Sequence, residues 1–189
     1  MSRTHLAVLA GVLFVAGCGG GVSTSSGGPP TSTGLPVRPV ELSVDGVDPC
    51  SLLTTGQRAK LGVAAGHANP QSTVDATLRG PSCTWLGVAE HPDNGYTGGL
   101  VLNHGAEFAL GGEPLRSVDG FAATTITSTG SDPNYFCGVL IDIAPGKALD
   151  ADYSNDAKDY PRMNRQLACS KALDAAAAML TTLRAQQNR

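Results

Sequence analysis

Tyr135-Phe136-Cys137-Gly138-Val139-Leu140-Ile141-Asp142-Ile143 is the clearest strand in the chain and sets its fold class. Alternation places Tyr135, Cys137, Val139, Ile141 and Ile143 on one face, and Phe136, Gly138, Leu140 and Asp142 on the other. Asp142 is an acid on an otherwise apolar strand, and is read as a solvent-facing strand end. Working outward, Phe121 to Thr127 is a second strand, rich in Thr and Ile. Between the two lies a turn at Ser131-Asp132-Pro133-Asn134. Further upstream, Ser82-Cys83-Thr84-Trp85-Leu86-Gly87-Val88 alternates with Cys83 and Trp85 on one face. The turn-forming stretch Glu90 to Gly95 joins it to a partner strand, Tyr96 to Asn103. Gly98-Gly99 and Gly111-Gly112 read as strand or turn breaks. Glu113-Pro114 begins a connection, and His67 to Gly80 is loop-like with room for a short strand.

Helices flank these strands. Asp48 can cap a turn that accepts Pro49, with Leu52 and Leu53 as inward anchors. Thr54 with Gln57 forms a capping box, and Gly62 sits where a C′ residue belongs. Downstream, past a polar stretch from Asp150 to Asp159, Pro161 opens a helix to about Gln186. At 100° per residue, Cys169, Leu173, Ala176, Leu180 and Leu183 share one arc, so Cys169 faces the core. The alanine run Ala175 to Ala178 lets that helix approach a sheet closely. The expected fold is α+β: an antiparallel sheet packed by short N-terminal helices and a long C-terminal helix.

The first 18 residues carry an address. Arg3 precedes the apolar run Leu6 to Val15, and Val15-Ala16-Gly17-Cys18 follows. A basic start, an apolar stretch of about 10 residues and small residues before a cut describe a secretory signal. The run falls short of the roughly 20 residues of a spanning helix. The tetrad resembles the bacterial lipobox, whose Cys is acylated and becomes the mature N-terminus. The expected organisation is a signal peptide over 1–17, a lipidated Cys18 with a disordered Gly/Ser/Thr/Pro tether over 18–46, and one globular domain over 47–189. Such a tether cannot bury enough surface to order itself. As a flexible coil of about 28 residues it reaches roughly 30 Å. The expected location is therefore the extracytoplasmic face of the cell membrane, held by an N-terminal lipid.

An exported chain oxidises its thiols. Apart from Cys18, the cysteines are Cys50, Cys83, Cys137 and Cys169, an even number that reads as two disulfides. No C-x-x-C pair offers a structural zinc site. Four cysteines allow three connectivities. The faces of the elements favour Cys50–Cys83 and Cys137–Cys169, each locking a helix to the sheet.

The formal charge of −3 becomes one unit more negative once Arg3 leaves with the signal, and no Lys/Arg cluster exists. That argues against nucleic acid as a partner. Aromatics at 5% within a 41% hydrophobic chain leave the core to aliphatics. Trp85, the single Trp, is expected to be a core anchor, with the rim of a ligand groove as the lesser reading.

Asp48-Pro49-Cys50-Ser51-Leu52-Leu53-Thr54, Cys83-x-Trp85, a Cys-bearing strand and the Cys169 to Ala172 helix motif stand together behind a lipobox. In this the chain resembles a family of actinobacterial cell-envelope lipoproteins known only as a domain of unknown function. The resemblance implies the compartment and an α+β fold, and no catalytic residues.

The residues themselves offer no catalytic set. There is no G-x-S-x-G elbow, no H-E-x-x-H and no phosphate-cradling glycine loop. His91 with Glu90 and Asp93, and His104 near Glu107, read as solvated loop charge rather than metal sites. Asp152, Asp156 and Asp159 lack EF-hand spacing. No cofactor or metal is expected. The expectation is a non-enzymatic binding or sensing domain that meets a small molecule, an envelope lipid or glycan, or another envelope protein. The alternatives are an envelope hydrolase, which needs two facing carboxylates in a deep pocket, and a purely structural interaction module.

Overall fold

The computed structural model of the chain describes residues 35–70, 77–90, 92–109, 116–127, 135–155 and 163–187. Seven strands form one antiparallel sheet: β1 (His67–Asn69), β2 (Ser82–Leu86), β3 (Asn94–Val101), β4 (Arg116–Val118), β5 (Phe121–Thr127), β6 (Tyr135–Ala144) and β7 (Lys147–Asn155). Their order, β1-β2-β3-β7-β6-β5-β4, is two meanders joined where β3 pairs with β7. The helices are α1 (Thr55–Leu61) and α2 (Arg165–Gln187). Together with the 3-10 turn Pro49–Leu52, they make the α+β architecture that the sequence indicates.

Local chemistry explains the helix ends. Asp48 accepts the Cys50 N–H, and Thr54 and Gln57 form the reciprocal capping box. Gly62 closes α1 in the left-handed conformation, φ 70°. Asn164 caps α2 by accepting the Leu167 N–H at 2.9 Å. Pro161, expected to open this helix, lies outside the described residues.

Both disulfides have the favoured pairing, Cys50–Cys83 and Cys137–Cys169. The principal core lies between the sheet and α2, with Trp85, Tyr96, Phe121, Val139, Ile141 and Leu149 against Ala172, Ala175, Ala176, Met179, Leu180 and Leu183. Burial on α2 is displaced from the expected arc. Ala168 and Ala172 point inward, while Cys169 and Leu173 are only half-buried at its side. Small residues permit this closeness. A Cβ on Gly98 in β3 would lie 2.6 Å from Met179 Cε, so the strand is smooth where the helix presses on it. Gly98-Gly99 is thus strand interior, not a break. Trp85 is fully buried, which removes it from any groove rim.

Gly66 is packed as tightly: a Cβ there would overlap Cys83 Sγ and lie 2.5 Å from Trp85 Nε1. Gly66→Ala is therefore expected to cost about 1–3 kcal/mol, the usual range for overpacking. Urea unfolding followed by the fluorescence of Trp85 reads this directly; an unshifted midpoint would contradict the packing.

Three expectations need correction. First, the polar stretch from Asp150 is not a connection: Lys147–Asn155 is β7, the central strand, paired on both sides. Arg116–Val118 is likewise a strand, pairing with β5 through the Asp119-Gly120 turn, where both residues have positive φ. Second, Asp142 does not face solvent. It is 1% exposed, and Arg38 Nη1 donates to its Oδ2 at 2.7 Å. Burial nonetheless raises its pKa, with the Arg38 hydrogen bond and charge acting against that rise. Third, the boundary between tether and domain lies before 46. Leu42 and Val44 are buried, the Leu42 N–H donates to the Ile143 carbonyl at 2.9 Å, and Gln187 both accepts from and donates to the Ser43 backbone. Apolar side chains at every second position let this short segment lie beside the end of β6, a pattern too brief to stand out beside Gly and Pro. Residues 1–34, Cys18 among them, lie outside the described residues.

Candidate functional site

The C-terminal end of α1, the turn between β2 and β3, the end of β7 and the first turns of α2 surround a cleft of about 620 Å³. Helix α1 supplies Lys60 and Leu61, the turn supplies Glu90, Pro92 and Asp93, and α2 supplies Leu167 and Lys171. Asn94 and Asn155, at the paired ends of β3 and β7, complete the polar lining, and Met163 adds an apolar flank.

A hydrogen-bonded cluster underlies it. The Tyr153 hydroxyl donates to Asn94 Oδ1 at 2.8 Å and accepts from Asn155 Nδ2 at 3.2 Å. Lys171 Nζ stands 5.3 Å from the Tyr153 ring centroid, within cation–π range. The Tyr96 and Tyr153 rings meet at 5.1 Å, tilted by 59°. Burial, then the neighbouring Tyr153 and then Asp174, push the Tyr96 phenol up, so it stays protonated. The two asparagines are thus held by a rigid aromatic base, which preorganises whatever they bind.

Four charged groups line the cleft, and none forms an ion pair among the described residues: Lys60 and Lys171 from the helices, Glu90 and Asp93 from the turn. His91, which the sequence sets beside Glu90 and Asp93 in this turn, lies outside the described residues. His104 and Glu107 do not assemble a metal site, and Glu107 instead accepts the Gly105 N–H at 3.3 Å. Among the described residues no group of three His, Cys, Asp or Glu could hold a metal ion.

A second polar cluster sits on the opposite face of the sheet. Asp150 and Asp152, at successive positions of one β7 face, are 1% and 3% exposed. Their cross-strand neighbours are Gly99 and Leu140 for Asp150, and Thr97 and Gly138 for Asp152. A side chain on Gly138 would collide with Asp152 Oδ1, so the glycine makes room for the carboxyl. Asp150 Oδ1 and both Asp152 oxygens find no hydrogen-bond partner among the described residues. Burial pushes the Asp150 carboxyl up to about 7. Asp152 is also raised, first by burial and then by the charge of Asp150. Two facing carboxyls therefore exist, but neither described cleft is lined by them.

A family model described as a protein of unknown function, DUF3558, matches residues 13–182. The chain belongs to that family. The expected domain of unknown function is thereby established, and the DUF3558 match spans every strand of the sheet and most of α2. No curated protein and no solved structure matches the chain. No helix among the described residues is long and apolar enough to cross a membrane.

The sequence reading missed Lys60, Asn94, Tyr153, Asn155 and Lys171. The missing signal was the β7 strand: once Tyr153 and Asn155 alternate on one face opposite Tyr96 and Asn94, their cluster follows from the register.

Proposed function

We propose that the protein is a lipid-anchored binding domain of the cell envelope whose 620 Å³ cleft holds a small ligand bearing both an acidic and a basic group, such as a short peptide. The observation that carries this is the placement of charge. Two lysines from the helices and two carboxylates from the turn line one concavity without pairing among the described residues, and two asparagines of the same lining are fixed by Tyr153. A peptide's carboxylate suits the lysines, its ammonium the acids, and its amides the asparagines; Leu61, Met163 and Leu167 can cover a side chain. The role is to hold rather than convert, since the described lining offers no nucleophile beside a base. Attachment to the membrane rests on the lipobox at Cys18. Two acyl chains there would make the anchor durable.

The carboxylate-hydrolase alternative has less support, because Asp150 and Asp152 are enclosed. A structural interaction module would not need the preorganised asparagines.

A ligand that prefers the folded state raises its stability. At about 100 times its Kd, a bound peptide should raise the melting temperature by roughly 5–10 °C. Melts with short peptides, free amino acids and neutral sugars at matched ionic strength test this. Lys60→Ala/Lys171→Ala should abolish the shift. A response only to neutral sugars, or an equal response in the variant, sinks the reading. The anchor is tested separately: Cys18→Ser should lose the lipid seen by mass spectrometry and leave the membrane fraction.

A further inference from the structure

Beyond the peptide cleft, we infer that a second cleft, between β4, β5 and the first two turns of α2, binds a phosphate group, free or esterified. It encloses about 500 Å³ and is lined by Arg116, Thr125, Thr127, Arg165, Gln166 and Ser170, with no carboxylate among its described residues.

Register brings these side chains together. Arg116 lies opposite Ala123 on β5, and Thr125 and Thr127 follow at alternate positions of that same face. Thr127 lies opposite Cys137, whose disulfide to Cys169 brings the start of α2 over this corner of the sheet. Arg165, Gln166 and Ser170 then flank Cys169 on the same helix.

Two observations point to an anion. Thr125 is 5% exposed and lines the cleft, yet its hydroxyl has no partner among the described residues. That hydroxyl opens onto the cleft, where it can donate to an oxygen of a bound anion. Arg165 and Arg116 are likewise without an ion pair among the described residues. Moreover, Arg165 opens a helix whose first turn contains no acid. A cation there adds to the positive end of the helix dipole instead of offsetting it. Positive charge gathered against its own dipole is an arrangement that a bound anion relieves. Two guanidiniums can each present paired N–H donors to oxygens, and the three hydroxyls and one amide exceed what the two oxygens of a carboxylate can accept. A phosphate uses more of them.

The test uses the full chain in detergent, titrated with inorganic phosphate, with glycerol phosphate and with phosphatidylglycerol vesicles, against chloride at matched ionic strength. At least one phosphate probe should bind, and Arg116→Gln and Arg165→Gln should each weaken it about tenfold, the loss of one charge-assisted contact. Because both arginines are exposed, unliganded melting should stay unchanged. Thr125→Val is the second arm: it should weaken phosphate binding while leaving the unliganded protein as stable or more so, which a purely structural hydroxyl would not do. Tightest binding of inorganic phosphate identifies free phosphate as the source, of glycerol phosphate a soluble ester, and of vesicles a lipid headgroup; each supports the site. Absence of binding by all three probes, or binding unaffected by the arginine variants, overturns it.

Discussion

Between pH 4 and pH 7 the folded protein is expected to lose stability steadily as pH rises, by roughly 3 kcal/mol for a carboxyl of the Asp150/Asp152 pair raised from 3.8 to about 7. On β7, Asp150 and Asp152 share one face of the central strand and are both buried. Burial pushes the Asp150 carboxyl from 3.8 up to about 7 in the folded state. Over that interval the native protein keeps a proton that the unfolded chain has released. The native state therefore binds more protons, and unfolding becomes easier with each unit of pH. The stabilisation is complete below about pH 4 and is lost as pH passes the folded value near 7. Asp152, raised by burial and by its neighbour, extends the fall in the same direction, and the raised Asp142 adds to it.

Asp150→Asn/Asp152→Asn is the discriminating variant, because a carboxamide fills the same space and does not ionise. It should match the wild type near pH 4 and exceed it at pH 8, with a flattened profile between. Chemical denaturation at constant ionic strength measures both. A wild-type stability that is flat, or that rises from pH 4 to 7, would show that these carboxyls are already satisfied and charged.

That pair also shows where the sequence was opaque. β6 and β2 announced themselves because their apolar residues alternate and β5 because it is rich in Thr and Ile, and the cap residues Asp48, Thr54, Gln57 and Gly62 act as expected because capping is local chemistry. β7 has the same alternation, with Leu149, Ala151 and Tyr153 facing α2. Its other face carries Asp150, Asp152 and Ser154, so composition reads as a loop although the strand is central. Strand propensity here yields to pairing on both sides. Two signals were available: Pro145-Gly146, which turns β6 into β7 with Gly146 at φ 66°, and Asp119-Gly120, a strong hairpin dipeptide. Asp142 was misread for a different reason. Its partner Arg38 is 104 residues away in a segment whose composition looks like tether, and no local rule links them.

Removal of either disulfide is expected to cost about 4 kcal/mol, which follows from loop-closure entropy for separations of 33 and 32 residues. The paired alanine variants Cys50→Ala/Cys83→Ala and Cys137→Ala/Cys169→Ala should each melt more than about 10 °C lower. The two loops do not overlap in sequence, so the losses should add, and the fourfold variant should forfeit most of a typical domain's ~5–15 kcal/mol. The bonds differ in what else depends on them. α2 keeps eight buried side chains and the Gln57 bond to the Ala178 carbonyl when Cys169 is released, so the helix stays docked while its first turns loosen. Cys50 leads into Leu52 and Leu53, the main apolar contribution of the N-terminal turn, and Cys83 lies against Gly66 beside Trp85. Loss of the first bond should therefore shift Trp85 fluorescence before global unfolding, and loss of the second should not. Equal melting of the oxidised and fully reduced protein would mean that packing alone holds these elements, and the loop-entropy account would fail.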